Sequence, residues 1–468
     1  MYTTILGYAV TFIILSAVFG AILRKFFGKN NLTTKEFIVV AILNVFIGFA
    51  VFGFGYKLSK ESLLTFYQNI NGWEISTSRI EVSCTKNGNC KWEYDCDSYT
   101  VRVAYDCNCK TKKEGGTSCD TCYRNETRWN SCPYVKKEYT YNVVTSLGNV
   151  EVKSGVFPSN YEDNRYIPNE YRYSSDKVVP KTIVEKAGVG DPPEWVAAYN
   201  RVNSGRPGPV TIRSPYKNYL LASNSTILRE RSTDIKYYSD LGLLPELRAN
   251  LNWIYGTPFI GLSDRLYEVG TNLPNPQEWS EAISYLSSAT GYFLQGDVIL
   301  VVVNNSTVSD DPDKYTIALR AYWSDKNKFG DNSLAKNSVV VVVGTEDNKT
   351  VKWARGFSLM PNGNEVLFTK IDRLAGAEFN PKALVGETRV GYSNPMSPPF
   401  ILVPSGGKIE DLLFGISDTT TKYTRSPMSF FTYLQNDIEL SSGQVSIMWG
   451  ISIILCVALW IIVLVFEF

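Results

Sequence analysis

Asp297-Val-Ile-Leu-Val-Val-Val303 and Ser338-Val-Val-Val-Val-Val343 are two unbroken apolar runs of strand length. A strand with one wet face alternates apolar and polar residues. A run without alternation is read as a strand covered on both faces, as in parallel sheets. The flanking residues fit that reading. Asn275-Pro276 places a cap and an N1 proline ahead of Trp279, Ala282, Ile283, Leu286 and Ala289, which share one helical face, with Gly291 as the expected stop. Between the runs, Asp311-Pro312 opens a second helix with Tyr315, Ala318, Leu319 and Tyr322 in its stripe. After the second run, Asp347-Asn348 is a turn signal leading into a partner strand at 350–357. Helix, strand, helix, strand and hairpin strand predict an α/β domain of mixed strand direction over residues 220–442.

Outward from this domain lie three apolar stretches, at 2–23, 37–56 and 445–466, with no charge in their interiors. Each has the roughly 20 residues that a helix needs to cross a bilayer. The first is not read as a cleaved signal peptide, because Arg24 and Lys25 follow its apolar run instead of preceding it. Residues 1–56 are therefore a membrane hairpin, and 443–468 a C-terminal membrane helix. The hairpin loop, 24–36, holds Arg24, Lys25, Lys29 and Lys35, and short basic loops stay cytoplasmic. The expected topology has the N-terminus outside, residues 57–442 extracytoplasmic and the C-terminus inside. Ser16, Gly20, Gly48, Gly53 and Gly55 are small residues suited to close helix contact, and Asn44 is the one strongly polar interior residue. With no intramembrane acid or base, nothing points to a channel or pump.

Residues 57–152 contain Cys84, Cys90, Cys96, Cys107, Cys109, Cys119, Cys122 and Cys132; the ninth cysteine, Cys456, lies in the third span. An even set in an oxidising compartment predicts four disulfides, in any of 105 pairings. On the cytosolic side the same residues would be two zinc sites, with Cys107-x-Cys109 and Cys119-x-x-Cys122 as knuckles. Redox catalysis by Cys119-Asp-Thr-Cys122 lacks a surrounding βαβ pattern. Alternation at 99–105 and 138–144 predicts antiparallel strands flanking Gly115-Gly116, making this a small disulfide-rich β module. Residues 153–219 read as a Pro- and Tyr-rich connector with one helix at 193–203, whose face carries Trp195, Ala198, Tyr199 and Val202.

The chain has no histidine and a net charge of +1. Absence of histidine removes Ser–His–Asp and Cys–His catalysis and His-ligated zinc, and balanced charge gives no reason to expect nucleic acid. Acidic residues do follow the buried runs: Asp310, Asp311 and Asp313 the first, Glu346 and Asp347 the second. Ligands bind beyond the carboxyl ends of such strands, so these are candidate Ca or Mg ligands; as a structural alternative they cap a helix and form a turn. No residue is assigned a catalytic role.

The order of elements over about 274–367, roughly a fifth of the chain, resembles the TPM domain, a membrane-associated α/β module. The matching pieces are 297–303, 315–323, Phe329-Gly330, 336–343, Glu346-Asp347 and 351–357. Ser358-Leu-Met-Pro-Asn-Gly-Asn364 and a Pro-rich stretch at 392–407, before a closing helix at 409–416, depart from the family's pattern. The resemblance implies a part in assembling or maintaining membrane complexes and, for some members, phosphatase activity. The expected function is that of a membrane-anchored extracytoplasmic binding or scaffold protein. Its expected partners are the lipid bilayer and other membrane or surface proteins, in a homo- or hetero-oligomer. The alternatives are a metal-dependent phosphatase-like hydrolase, and a surface or virion protein recognising a receptor or subunit. Sequons at Asn125, Asn224, Asn304, Asn305 and Asn348 are compatible with the last.

Overall fold

The computed structural model describes residues 2–27, 33–81, 91–111, 117–135, 139–152, 192–248, 258–308, 311–360, 362–394, 397–438 and 440–466. The chain forms two compact units, one of Met1–Asn71 with Thr211–Phe468, the other of Gly72–Val210. In the first unit, α1 (Tyr2–Phe27), α2 (Thr34–Leu64) and the C-terminal helix Ser442–Phe466 are long and apolar enough to cross a membrane. Their shared core is Ala9, Phe12, Val40, Phe52, Met448, Cys456, Trp460 and Val463. Leu6, Ile14, Phe46, Phe54 and Ile454 point outward, as lipid-facing side chains do. Close approach is made at small residues. Gly20 lies under the Trp460 ring, Gly48 against Phe12 and Gly55 against Met448, whereas Gly53 meets nothing. Asn44 is fully buried between the helices, and neither amide atom has a partner among the described residues.

α2 has 31 residues, about 46 Å of helix against a hydrocarbon core of about 30 Å. Its apolar part ends near Tyr56, so two further turns, 57–64, carry the helix beyond the apolar stretch.

In the second unit, the latter part of β1 (Thr65–Glu81) pairs antiparallel with β4 (Tyr139–Thr145), which pairs with β5 (Gly148–Val152). A separate long hairpin joins β2 (Lys91–Thr111) to β3 (Thr117–Val135). Residues 99–105 are thus stranded as expected, but their partners are 122–128, and 139–145 goes to β1 instead. Alternation marks a strand; it does not name the partner. Cys107 bonds Cys122 and Cys109 bonds Cys119 across the hairpin, so the tempting knuckles are two cross-strand bridges. Cys84, Cys90 and the side chains of Cys96 and Cys132 lie outside the described residues, as do 153–191 of the expected connector. The helix α3 (Pro193–Asn203) has the predicted bounds. Its Trp195 meets Tyr141 edge-on at 5.4 Å and donates Nε1–H to the Asn142 carbonyl at 3.2 Å, while Tyr199 is 45% exposed.

Back in the first unit, β6 (Pro209–Lys217) lies beside β1, with Asn218 N–H donating to the Leu64 carbonyl at 2.8 Å, and β7 (Phe259–Ile260) beside β6. The α/β domain follows. It comprises α4 (Ser232–Asp240), β8 (Leu266–Val269), α5 (Pro276–Leu294), β9 (Asp297–Asn304), α6 (Pro312–Trp323), β10 (Ser338–Thr345) and β11 (Val351–Ser358). After these come α7 (Glu365–Ile371), the hairpin β12 (Arg389–Asn394) and β13 (Ser397–Val403) in the Pro-rich stretch, and α8 (Lys408–Phe414). The sheet order is β11-β10-β9-β8, with β8, β9 and β10 parallel and β11 antiparallel.

The unbroken apolar runs divide by parity between two cores. Val298, Leu300, Val302, Val339, Val341 and Val343 pack on α5, α7 and α8 through Trp279, Ile283, Leu367, Ile371, Ile409 and Leu413. Ile299, Val301, Val303, Val340 and Val342 pack on α4 and α6 through Tyr238, Tyr315, Ala318, Leu319 and Tyr322. This is the two-sided burial that makes parallel strands apolar throughout.

Gly291 does not stop α5, which runs to Leu294 and ends on Gln295 in the left-handed region at φ 58°. A Cβ at 291 would instead meet the Asn71 backbone, its Cα and carbonyl oxygen each at 2.9 Å. The glycine lets β1 come close to the helix. Gly291→Ala is therefore expected to destabilise the full chain by about 1–3 kcal/mol, read as a lowered thermal midpoint in detergent. An unchanged midpoint would show that the contact is soft.

Candidate functional site

The parallel register sets Asp297, the first residue of β9, beside Ser338, the first of β10, and Arg265 stands one residue ahead of β8. The amino ends of three strands thus lie together, and β1 and β6 bring polar side chains to them. Asp297 and Arg265 form an ion pair at 2.6 Å with side chains only 2% and 4% exposed. Asp297 Oδ1 accepts from Arg265 Nε (2.6 Å), Asn71 Nδ2 (2.8 Å) and Ser287 Oγ (3.2 Å), and Oδ2 from Asn69 Nδ2 (3.1 Å). Arg265 Nη2 donates to Asn71 Oδ1 at 2.6 Å and Thr211 Oγ1 at 3.3 Å. Thr211 Oγ1 in turn donates to Asn71 Oδ1 at 2.8 Å. A buried ion pair is tolerated when hydrogen bonds compensate its desolvated charges, and here four donors reach the carboxylate while Nε and Nη2 of the guanidinium are engaged. A carboxylate held by four donors, Arg265 among them, is a structural lock.

Beside the lock is a cavity of about 50 Å³ lined by Tyr67, Arg213, Arg248, Asp264, Asn332 and Ser333 among others. Arg213 lies 5.3 Å from the Tyr67 ring centre and donates to Asn332 Oδ1, and among the described residues it pairs with no carboxylate. Burial lowers its pKa from the ordinary arginine value. Arg248 pairs with Asp264 and lies over the Tyr267 ring at 4.7 Å; the Tyr267 hydroxyl accepts the Arg248 backbone N–H at 3.0 Å. Burial pushes the Tyr267 phenol up to about 12. Ser333 is 2% exposed, and its hydroxyl has no partner among the described residues.

A second cationic group surrounds Lys336. Arg425 donates to Gln295 Oε1 at 2.7 Å and Gln68 Oε1 at 3.2 Å. The Lys336 ammonium is 5.6 Å from the Tyr216 ring centre, and its backbone N–H donates to the Tyr216 hydroxyl at 3.1 Å. No carboxylate pairs with either cation among the described residues. Desolvation first, and the Arg425 charge second, bring the Lys336 amine down to about 8.

The acidic residues singled out from sequence sit at the opposite, carboxyl ends of the strands. Asp311 caps α6 by accepting the Lys314 N–H at 2.8 Å, and Asp313 pairs with Arg355 at 2.5 Å. Asp347 accepts from the Lys349 and Thr350 N–H groups at 2.9 and 3.0 Å, which hold its carboxyl down to about 2. Glu346 is exposed, and Asp310 lies outside the described residues. Among the described residues no three His, Cys, Asp or Glu side chains gather as a metal site; Asp311 serves as a helix cap and Asp347 holds a turn. Arg265 and Asp297 were missed because neither carries a spacing signal; an aspartate opening an otherwise apolar buried run was the one available hint.

Asp297→Ala leaves Arg265 buried without a counter-charge and is expected to cost about 3–5 kcal/mol in chemical denaturation. The double change Asp297→Leu with Arg265→Met should cost clearly less than Asp297→Ala alone; an equal or greater loss would refute the lock. For Lys336, a folded-state pKa near 8 lies below the unfolded value of about 10.4. Below pH 8 the amine is charged in both states and its burial penalty is fully present. Stability should therefore rise between about pH 8 and 10.4, and Lys336→Met should abolish that rise. Compared with protein-family models, with curated proteins and with solved structures, the chain finds no match in any of the three.

Proposed function

We propose that the chain is a membrane-anchored binding or scaffold protein that takes part in assembling or maintaining a membrane or cell-surface complex, with residues 57–442 extracytoplasmic. The observation that carries this reading is the stiff join between the membrane helices and the α/β domain. α2 leaves the apolar span without a break and ends where β1 begins. A helix end leaves carbonyls unsatisfied. Here Lys326 Nζ takes the Ser62, Leu63 and Thr65 carbonyls at 2.9, 2.6 and 3.0 Å, and the same ammonium lies 4.3 Å from the Phe66 ring centre. A cation at a helix C-terminus is also favoured by the helix dipole.

The return connection is fastened at the same place, since Ile438, just before the last helix, packs with Leu64 and Phe66. Two anchored chain ends holding one domain at a set distance from the bilayer suit a part that positions partners. The resemblance to TPM domains points the same way. Arg24, Lys25 and Lys35 beside the turn of the hairpin support the sidedness, as do the two disulfides.

Single cysteines placed at residue 31 and at exposed Lys236, in a chain with Cys456 replaced by serine, test the topology in intact cells. A membrane-impermeant maleimide should label position 236 and spare position 31 until the membrane is opened. The reverse pattern would put the domain in the cytoplasm and overturn the reading. Cross-linking before extraction should then recover discrete membrane-protein partners; a chain found uncomplexed at native abundance would count against a scaffold.

A further inference from the structure

We propose that the cavity beside the Asp297–Arg265 lock binds a phosphate group, with the Arg213 guanidinium as its anchor and the Ser333 hydroxyl as a second donor. Arg265 is committed to Asp297, Asn71 and Thr211, and Arg248 is paired with Asp264. Arg213 faces the same cavity with an amide oxygen and an aromatic ring for company and no carboxylate among the described residues. The three arginines and two aspartates of the lining therefore leave one positive charge uncancelled. A half-buried guanidinium keeps its charge, so an anion is the natural complement, and its planar fork suits the paired oxygens of phosphate.

The unpartnered Ser333 hydroxyl is the independent mark of a ligand. It lines the cavity, is buried, and would cost free energy if left without an acceptor. The space, about 50 Å³, exceeds what one water needs, about 10–15 Å³, and admits a small tetrahedral oxyanion. Asp264 and Asp297 on the lining oppose a highly charged ligand and so favour a single phosphate over a polyphosphate.

Position adds a second source for that phosphate. The segment holding Asn332 and Ser333 also contains Asp331, which pairs at 3.0 Å with Lys326, the residue closing α2. The cavity is thus built on the segment that meets the end of a membrane helix, so either a soluble phosphate or a phosphate-bearing lipid headgroup has the required chemistry.

The test uses the full chain in phosphatidylcholine vesicles, titrated with inorganic phosphate and, separately, reconstituted with about one lipid in ten as phosphatidic acid. Stabilisation by inorganic phosphate identifies a soluble source, and stabilisation by phosphatidic acid alone a headgroup; each supports the site. Arg213→Gln should weaken the effect about tenfold or more, Ser333→Ala several-fold, and Arg229→Gln, at an exposed position, not at all. If Arg213→Gln does not fold, Ser333→Ala and Arg213→Lys decide, the lysine variant retaining charge without the fork. No stabilisation from either source overturns the proposal. So does an equal response from wild type and both Arg213 and Ser333 variants, which would mean general adsorption of the anion.

Discussion

The buried pair of Arg265 and Asp297 is the constraint around which the rest of the first unit is arranged. One carboxylate and one guanidinium, each almost free of solvent, gather side chains from β1, β6, β9 and α5. Desolvating two charges is tolerable when surrounding hydrogen bonds compensate them, and that need sets where each of those elements lies. Gly291 is part of the same arrangement. The helix must come within van der Waals reach of the β1 backbone at Asn71, the residue that bonds both members of the pair.

The same strand explains how α2 and the α/β domain are joined. β1 starts where α2 ends, so the orientation of this long apolar helix and the placement of the buried lock are consecutive features of one short segment. Lys326 closes the helix end, and Asp331, its ion-pair partner, leads into Asn332 and Ser333 at the cavity. Polar chemistry in this domain therefore collects at the amino ends of the parallel strands, toward α2. The opposite ends, where α/β sheets usually bind ligands, carry carboxylates occupied in caps and turns.

How much of this was legible varied with range. Helices α3, α5 and α6 and strands β9, β10 and β11 were read from local pattern, because cap, stripe and apolar run each lie within a dozen residues. β8 was missed because four residues carry no usable period, and β6 because its prolines and polar residues read as a connector. The two compact units divide at 71–72, within β1, whose first part lies beside β6 in the unit that holds the sheet. The acidic residues stood out by proximity in sequence, yet only Asp311 and Asp347 take a neighbouring backbone N–H, and Asp313 pairs with Arg355.

By itself the chain determined three apolar helices long enough for a bilayer, an α/β domain with two fully buried strands, and a cysteine-rich β module. Those properties follow from hydropathy, periodicity and composition, which are local sums. Tertiary structure alone decided that Cys107 joins Cys122 and Cys109 joins Cys119, and that 139–145 pairs with β1. It alone decided that Arg265 meets Asp297, and that Arg213 faces a cavity without a carboxylate partner among the described residues. Each of these joins residues far apart in the chain, and the satisfaction of a buried polar group depends on every element that reaches it at once.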